Sequence, residues 1–66
     1  MRNSSNSKIY YIINEYVHNS RDRYILQSRW IEGKTYRLIA EEIEMSDRGV
    51  QYIVDRYTKL LHKYFV

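Results

Sequence analysis

The chain contains no cysteine, and this absence removes two classes of structure at once. Without thiols, the protein has neither a disulfide framework nor a thiolate metal site. No apolar run approaches the length that crosses a membrane, and residues 1–8 lack the hydrophobic core of a signal peptide. We therefore expect a soluble, cytoplasmic protein that has no membrane partner.

Residues suited to catalysis are equally scarce. His18 and His62 are the only histidines, and neither belongs to a metal-ligand or nucleophile pattern. The sequence has no glycine-rich loop of the kind that binds phosphate groups. We expect a protein that is not an enzyme, with no catalytic residues, no metal site and no cofactor.

Charge is spread unevenly along the 66 residues. The formal net charge is +3, but residues 32–45 are acidic, whereas the segments on either side are basic. A basic excess of this size is compatible with nucleic acid and is explained equally well by an ordinary solvated surface. The length allows one domain with one modest core, which we place at residues 7–66, after a disordered N-terminus of residues 1–6.

The first half of the chain predicts two helices. Ser7 can cap the first, over residues 8–19, where apolar residues recur on one face. Ser20 can cap the second, over residues 21–32. Gly33 then follows as the left-handed residue that ends a helix.

Residues 35–56 carry the pattern around which the chain is organised. Four apolar residues lie at offsets of zero, three, four and seven on a third helix that Thr35 can cap: Tyr36, Ile39, Ala40 and Ile43. Met45 breaks this period, and Ser46 can cap a fourth helix, which contains no proline and could continue to Phe65. This pattern is typical of a DNA-binding helix-turn-helix in a small all-α, four-helix domain. The alternative is that the apolar stripes form only a core.

The recognition helix, about residues 46–57, would lie in the major groove. Its outward positions are the candidate base-reading residues: Ser46, Asp47, Arg48, Gln51, Tyr52 and Asp55. Arg48 could pair with guanine and Gln51 with adenine, and the two share a helix face. The candidate phosphate contacts, which fix register without reading sequence, are Lys34, Thr35, Tyr36, Arg37 and Arg56.

Several stretches match a known family pattern: RDRYIL (21–26), Trp30, EGKTYRLIA (32–40), Ile43, Ser46 and Val50. With these residues the chain resembles region 4 of the sigma-70 family, which reads promoter DNA. It looks more like the stand-alone regulators of phages and mobile elements than like a complete sigma factor. The resemblance implies a four-helix domain, major-groove binding and, for true sigma factors, docking on RNA polymerase.

The chain also departs from that family pattern. Glu44 and Met45 stand where the family commonly has a leucine-glycine turn pair, so the geometry of the turn stays open. Tyr52 and Asp55 are not the usual base-reading residues, so no target sequence can be transferred. Because regions 2 and 3 of a sigma factor are missing from this sequence, we do not expect promoter opening.

We expect a sequence-specific transcriptional regulator that binds double-stranded DNA. One alternative is a protein-interaction module that binds RNA polymerase or another host factor through Glu41, Glu42 and Glu44. Another is an accessory protein for DNA packaging or recombination.

Two expectations concern aromatic and aliphatic residues. Trp30 is the only tryptophan, and we expect the core to be built around it. The apolar residues near the end of the chain should fold back on the first helix, or else form a homodimer: Tyr57, Leu60, Leu61, Tyr64 and Phe65.

Overall fold

The computed structural model describes residues 4–65, which form four helices and no strand. The elements in chain order are α1 (Ser4–Tyr16), α2 (Ser20–Leu26) with a π-helical continuation (Gln27–Ile31), α3 (Tyr36–Ile43), and α4 (Asp47–Leu61) with a final 3-10 turn (His62–Tyr64). The predicted all-α architecture is confirmed for this part of the chain.

The first helix is shifted toward the N-terminus relative to the prediction. It begins at Ser4 rather than after Ser7, so it includes part of the segment expected to be disordered. The expected disorder of residues 1–6 stays a prediction, and residues 1–3 lie outside the described residues. The helix ends at Tyr16, before the predicted end at residue 19. Ser4 and Ser7 are both plausible helix-start residues, so sequence alone does not separate them.

The turn between α1 and α2 is closed by side chains from both of its ends. Asn19, rather than the predicted Ser20, caps α2, because its side-chain oxygen accepts a hydrogen bond from the Asp22 amide at 3.0 Å. From α2, Arg23 Nε donates to the Val17 carbonyl at 3.0 Å. Val17 lies just past the end of α1, where carbonyl groups have no partner within the helix.

The second helix widens before it ends. The Glu32 amide donates to the Gln27 carbonyl at 3.1 Å, a bond across five residues that defines a π-helical turn. Gly33 then has a φ of 74°, the left-handed conformation expected for it, and the Lys34 amide donates to the Ser28 carbonyl at 3.0 Å. The predicted end of this helix is confirmed, while the π-helical turn has no signal in the sequence pattern.

Side-chain caps define the starts of both later helices, as predicted. Thr35 Oγ1 accepts from the Leu38 amide at 3.1 Å, and Ser46 Oγ accepts from the Gly49 amide at 3.0 Å. Between these helices Glu44 has a φ of 59°, so a glutamate takes the left-handed position that usually favours glycine. The turn is therefore short and sharp despite the absence of glycine.

The core is aliphatic and is drawn from every helix. Its buried members are Ile12, Ile13, Val17, Ile25, Leu26, Ile39, Ala40, Val50, Ile53, Val54 and Leu61. Each large aliphatic side chain buried here contributes about 1.5–3 kcal/mol to folding. The expectation that Trp30 is the centre of the core is wrong: it is only partly buried, and its ring meets that of Phe65 edge-on at 5.6 Å between centroids.

The end of the chain folds back on the domain. α4 stops at Leu61 instead of continuing to Phe65, and the following 3-10 turn brings the Tyr64 ring to 4.2 Å from the ring of Tyr16 on α1. Within the proposed dimer set, only Leu60 is exposed, at 55%; the others are buried or half-buried. Folding back on α1 is thus observed, and a homodimer through the same residues stays an untested prediction.

Candidate nucleic-acid interface

The orientation of α4 is fixed by its inward face. Val50, Ile53 and Val54 are buried and belong to the same apolar cluster as Ile39 and Ala40 of α3. The alanine at the contact lets the two helices approach closely, because a larger side chain would hold them apart. The outward face of α4 is consequently held in one orientation by the core.

Gly49 serves the turn that precedes this face. A Cβ atom at this position would lie 3.1 Å from Met45 Cε and 3.1 Å from Ser46 Oγ. The missing side chain therefore leaves room for the Ser46 cap and for Met45 against the core. Close packing inside the protein accounts for this glycine.

The predicted base-reading residues share one accessible surface. All six are exposed: Ser46, Asp47, Arg48, Gln51, Tyr52 and Asp55. Tyr52 is the most open of the large hydrophobic side chains in residues 4–65, with 66% of its surface exposed. Among the described residues, no ion pair joins Arg48 to Asp47 or Asp55. The guanidinium of Arg48 is thus available to a partner outside the chain.

Ser46 differs from the other five because its hydroxyl oxygen already accepts the helix-capping hydrogen bond from Gly49. Its hydroxyl proton remains able to donate, since one hydroxyl can donate and accept at once. Any contact from Ser46 to DNA would be made in addition to the cap.

Lys34, one of the predicted phosphate contacts, is engaged within the protein. Its Nζ atom lies 3.1 Å from both carboxylate oxygens of Glu42, 3.3 Å from the Tyr24 hydroxyl and 3.4 Å from Glu32. The hydrogen bond to Glu42 raises the pKa of Lys34 above its usual range, and the Tyr24 hydroxyl adds to this. The ammonium group has three donors, and three partners of this chain already surround it.

The other predicted phosphate contacts differ in solvent exposure and in the contacts that they already make within the protein. Thr35 is exposed, although its hydroxyl oxygen caps α3, and Tyr36 is half-buried. Arg37 is 80% exposed and forms a surface pair with Glu41 at 3.5 Å, which is easily exchanged for another anion. Arg56 is exposed, with its guanidinium carbon 5.8 Å from the centre of the Tyr57 ring.

The predicted acidic partner face is partly occupied by these contacts. Glu42 accepts hydrogen bonds from Tyr24 and Lys34, which together lower the pKa of its carboxyl group, the Tyr24 bond having the larger effect. Glu41 pairs with Arg37. Glu44 is exposed, and its backbone is the left-handed end of α3.

Arg29 was not predicted to have a role, but it contacts both the residue before Thr35 and the residue after it at the start of α3. Its Nη1 atom donates to the Lys34 carbonyl at 3.0 Å, and its guanidinium carbon lies 4.4 Å from the centre of the Tyr36 ring. A cation over an aromatic face at this distance is attractive. Arg29 thereby holds the segment that carries Thr35, a role with no local sequence signal.

A partly buried hydrogen bond that was not predicted from the sequence connects α4 to α2. Tyr57 donates to Asp22 Oδ2 at 2.8 Å, although the residues are 35 positions apart. Asp22 is only 5% exposed, and its other oxygen accepts from Arg21 at 3.2 Å. Burial raises the pKa of the Tyr57 hydroxyl, and the bond to Asp22 raises it further.

Comparison of the chain with protein-family models, with curated proteins and with solved structures finds no significant match. None of the helices in residues 4–65 is long and apolar enough to cross a membrane. In the same residues, no group of three or more acidic or histidine side chains is placed to hold a metal ion.

Proposed function

We propose that this protein is a sequence-specific regulator of transcription that binds double-stranded DNA by a helix-turn-helix formed by α3 and α4. The observation that carries the proposal is the exposed face of α4, which presents donors and acceptors on a helix anchored by the core. The resemblance to sigma-70 region 4 supports a role in transcription rather than in packaging or recombination.

The N-terminal half of α4 would enter the major groove. That groove is about 12 Å wide and admits one α-helix. Arg48 would donate two hydrogen bonds to a guanine edge, and Gln51 would bond bidentately to an adenine edge. Since the two residues lie one turn apart on the same face, they would read neighbouring base pairs.

Phosphate groups would be bound around this contact by Arg37 and Arg56. Both side chains are exposed, and the surface pair of Arg37 with Glu41 can open at little cost. Lys34 would contribute stability rather than affinity, because Glu42 and Tyr24 already bind its ammonium group. This division revises the phosphate set expected from the sequence.

The protein-partner alternative has weaker support. Glu42 already binds Lys34 and Tyr24, so a basic partner would have to displace them, whereas the surface pair of Glu41 with Arg37 opens at little cost. Among the three glutamates only Glu44 lacks an ion pair in the part of the chain that the structure describes.

Two binding measurements test the proposal, the first with random duplex DNA and the second with a sequence selected from it. We expect affinity that falls steeply with salt, because phosphate neutralisation releases counterions. The Arg48→Ala, Gln51→Ala double variant should lose at least about thirtyfold in affinity for a selected sequence, at about 1–3 kcal/mol for each of the two base contacts. Lys8→Ala, Asn14→Ala is the matched control, since it removes one cation and one amide from the exposed face of α1.

Two results would count against the proposal. The first is absence of binding by the unmodified protein at low salt. The second is an equal loss of affinity in the α1 control, since that would attribute the effect to net charge rather than to the face of α4.

A further inference from the structure

The basic face of α4 continues well beyond the residues that would read bases. Counting from Arg48, the positions of α4 that share its outward face are Tyr52, Asp55 and Lys59, at offsets of 4, 7 and 11. Arg56 follows Asp55 beside this face, and Lys63 lies in the final 3-10 turn, beyond the end of α4. Both lysines are exposed, and neither forms an ion pair within residues 4–65. The distal part of α4 and the turn after it therefore carry three exposed cations: Arg56, Lys59 and Lys63.

Two of these cations are supported by aromatic rings that the fold holds in place. Arg56 lies over the ring of Tyr57, and Lys63 Nζ lies 5.3 Å from the centre of the Tyr64 ring. Tyr57 is fixed by its bond to buried Asp22, and Tyr64 is stacked on Tyr16. Each supported cation is thus followed by an anchored tyrosine, and the two pairs are seven residues apart.

Between the base-reading residues and these cations the surface is concave. A shallow depression of about 470 Å³ opens on α4 and is lined by Tyr52, Asp55, Arg56, Lys59 and Leu60. Two cations and the hydroxyl of Tyr52 face one carboxylate there, so the depression favours an anion. The Asp55 carboxylate is the one opposing charge, and Arg56 is its sequence neighbour.

The length of α4 sets where these cations would lie on DNA. Lys59 is eleven residues from Arg48, which is about 16 Å along the helix at 1.5 Å per residue. That distance exceeds the width of the major groove, about 12 Å. If α4 crosses the groove with its N-terminal residues on base edges, its distal half reaches the wall of the groove, where the phosphate groups lie.

We propose that Arg56, Lys59 and Lys63 form a phosphate-binding edge that grips the DNA backbone beside the base-reading turn. The edge supplies sequence-independent affinity, while Arg48 and Gln51 supply discrimination. This assignment rests on the proposed function, and it adds Lys59 and Lys63 to the interface while leaving out Lys34. It also assigns a function, contact with the DNA backbone, to the part of α4 beyond the base-reading residues.

The test is the salt dependence of binding to random duplex DNA at 50 and 200 mM salt, for the unmodified protein, Lys59→Gln, and Lys59→Gln, Lys63→Gln. Each lost phosphate contact removes about 0.9 from the slope of log affinity against log salt. Over this fourfold range, the ratio of the two affinities should fall about 3.5-fold for the single variant and about twelvefold for the double variant. Lys34→Gln is the control: it removes the same charge from a lysine already bound to Glu42, and its slope should match that of the unmodified protein.

Different outcomes separate this inference from the proposed function. If the unmodified protein binds with a steep slope but the double variant keeps that slope, the edge is wrong and the base-reading proposal stands. If Lys34→Gln lowers the slope as much as Lys59→Gln, net charge explains the effect and the edge is likewise wrong. If the unmodified protein does not bind duplex DNA at 50 mM salt, both are overturned. Circular dichroism of each variant checks that the helices are intact.

Discussion

At the scale of single residues, Glu44 holds a conformation that few L-amino acids adopt. Its φ of 59° places it in the left-handed region, where a side chain crowds the backbone at a cost of about 1–2 kcal/mol. The turn keeps its shape because Met45 bonds to Ala40 on one side and Ser46 caps α4 on the other. Glu44 is therefore strained by a turn that its neighbours determine.

We predict that Glu44→Gly stabilises the protein by about 0.5–1 kcal/mol, since relief of the left-handed strain exceeds the extra entropy lost by glycine. Glu41→Gly is the matched control: it lies in regular α3 and should destabilise by about 1 kcal/mol. Urea unfolding followed by circular dichroism measures both. A destabilised Glu44→Gly variant would show that the glutamate side chain supports the turn.

The stability of the protein should depend on pH in the acidic range, because Glu42 accepts hydrogen bonds from Lys34 and Tyr24. The pKa of Glu42 is lowered in the folded protein from its ordinary value of 4.5. Its stabilising effect is present above the unfolded pKa and is lost as the pH falls through the folded pKa. We predict that Glu42→Gln flattens the loss of stability below about pH 4.5. Thermal unfolding over this pH range is the measurement; parallel curves for Glu42→Gln and the unmodified protein would refute it.

At the scale of elements, the caps and periods of α3 and α4 were predictable because both signals are local. Thr35 and Ser46 each bond to an amide three residues ahead, so sequence spacing contains the whole interaction. The π-helical turn was not predictable, because it depends on how Trp30 and Ile31 pack on residues distant in sequence. The prediction of Ser20 as the cap of α2 was wrong, with Asn19 in that role instead, because the two adjacent residues have similar capping ability.

Tyr57 links α4 to α2, and the loss of its hydroxyl should be costly. Tyr57→Phe would leave the buried Asp22 carboxylate without its 2.8 Å donor, and we predict a loss of about 1–3 kcal/mol. Tyr52→Phe removes the same hydroxyl from an exposed ring and should change stability by less than about 0.5 kcal/mol. Equal stability of the two variants in chemical denaturation would show that the contact with Asp22 contributes nothing.

At the scale of the whole molecule, the sequence identified many residues of the core but not its centre. Periodicity placed Ile12, Ile13 and Val17 on the inner face of α1 because burial follows the helical repeat. The prediction of Trp30 at the centre of the core was wrong because the size of a side chain does not decide how deeply it is buried. Its contact with Phe65 also joins residues far apart in the sequence. The exposed positions of α4 follow from the helical period of the sequence. The engagement of Lys34 by Glu42 does not, because it is a contact between residues of different elements.

The resulting molecule has two contrasting surfaces. The face of α4 combines cations, two aspartates, a glutamine and a tyrosine, while α1 exposes the aromatic rings of Tyr10 and Tyr11. α1 packs against α2 and the π-helical turn, and α3 packs against α4. DNA bound to α4 should therefore leave the exposed face of α1 in contact with solvent.

DNA binding by α4 can be tested directly by titrating isotope-labelled protein with duplex DNA and following the amide NMR shifts. We predict that the largest changes fall on α4, around Arg48, Gln51 and Tyr52, and extend to Lys59. The amides of Tyr10 and Tyr11 should change little. Changes concentrated on α1, with α4 unaffected, would contradict the assignment of α4 as the DNA-binding helix.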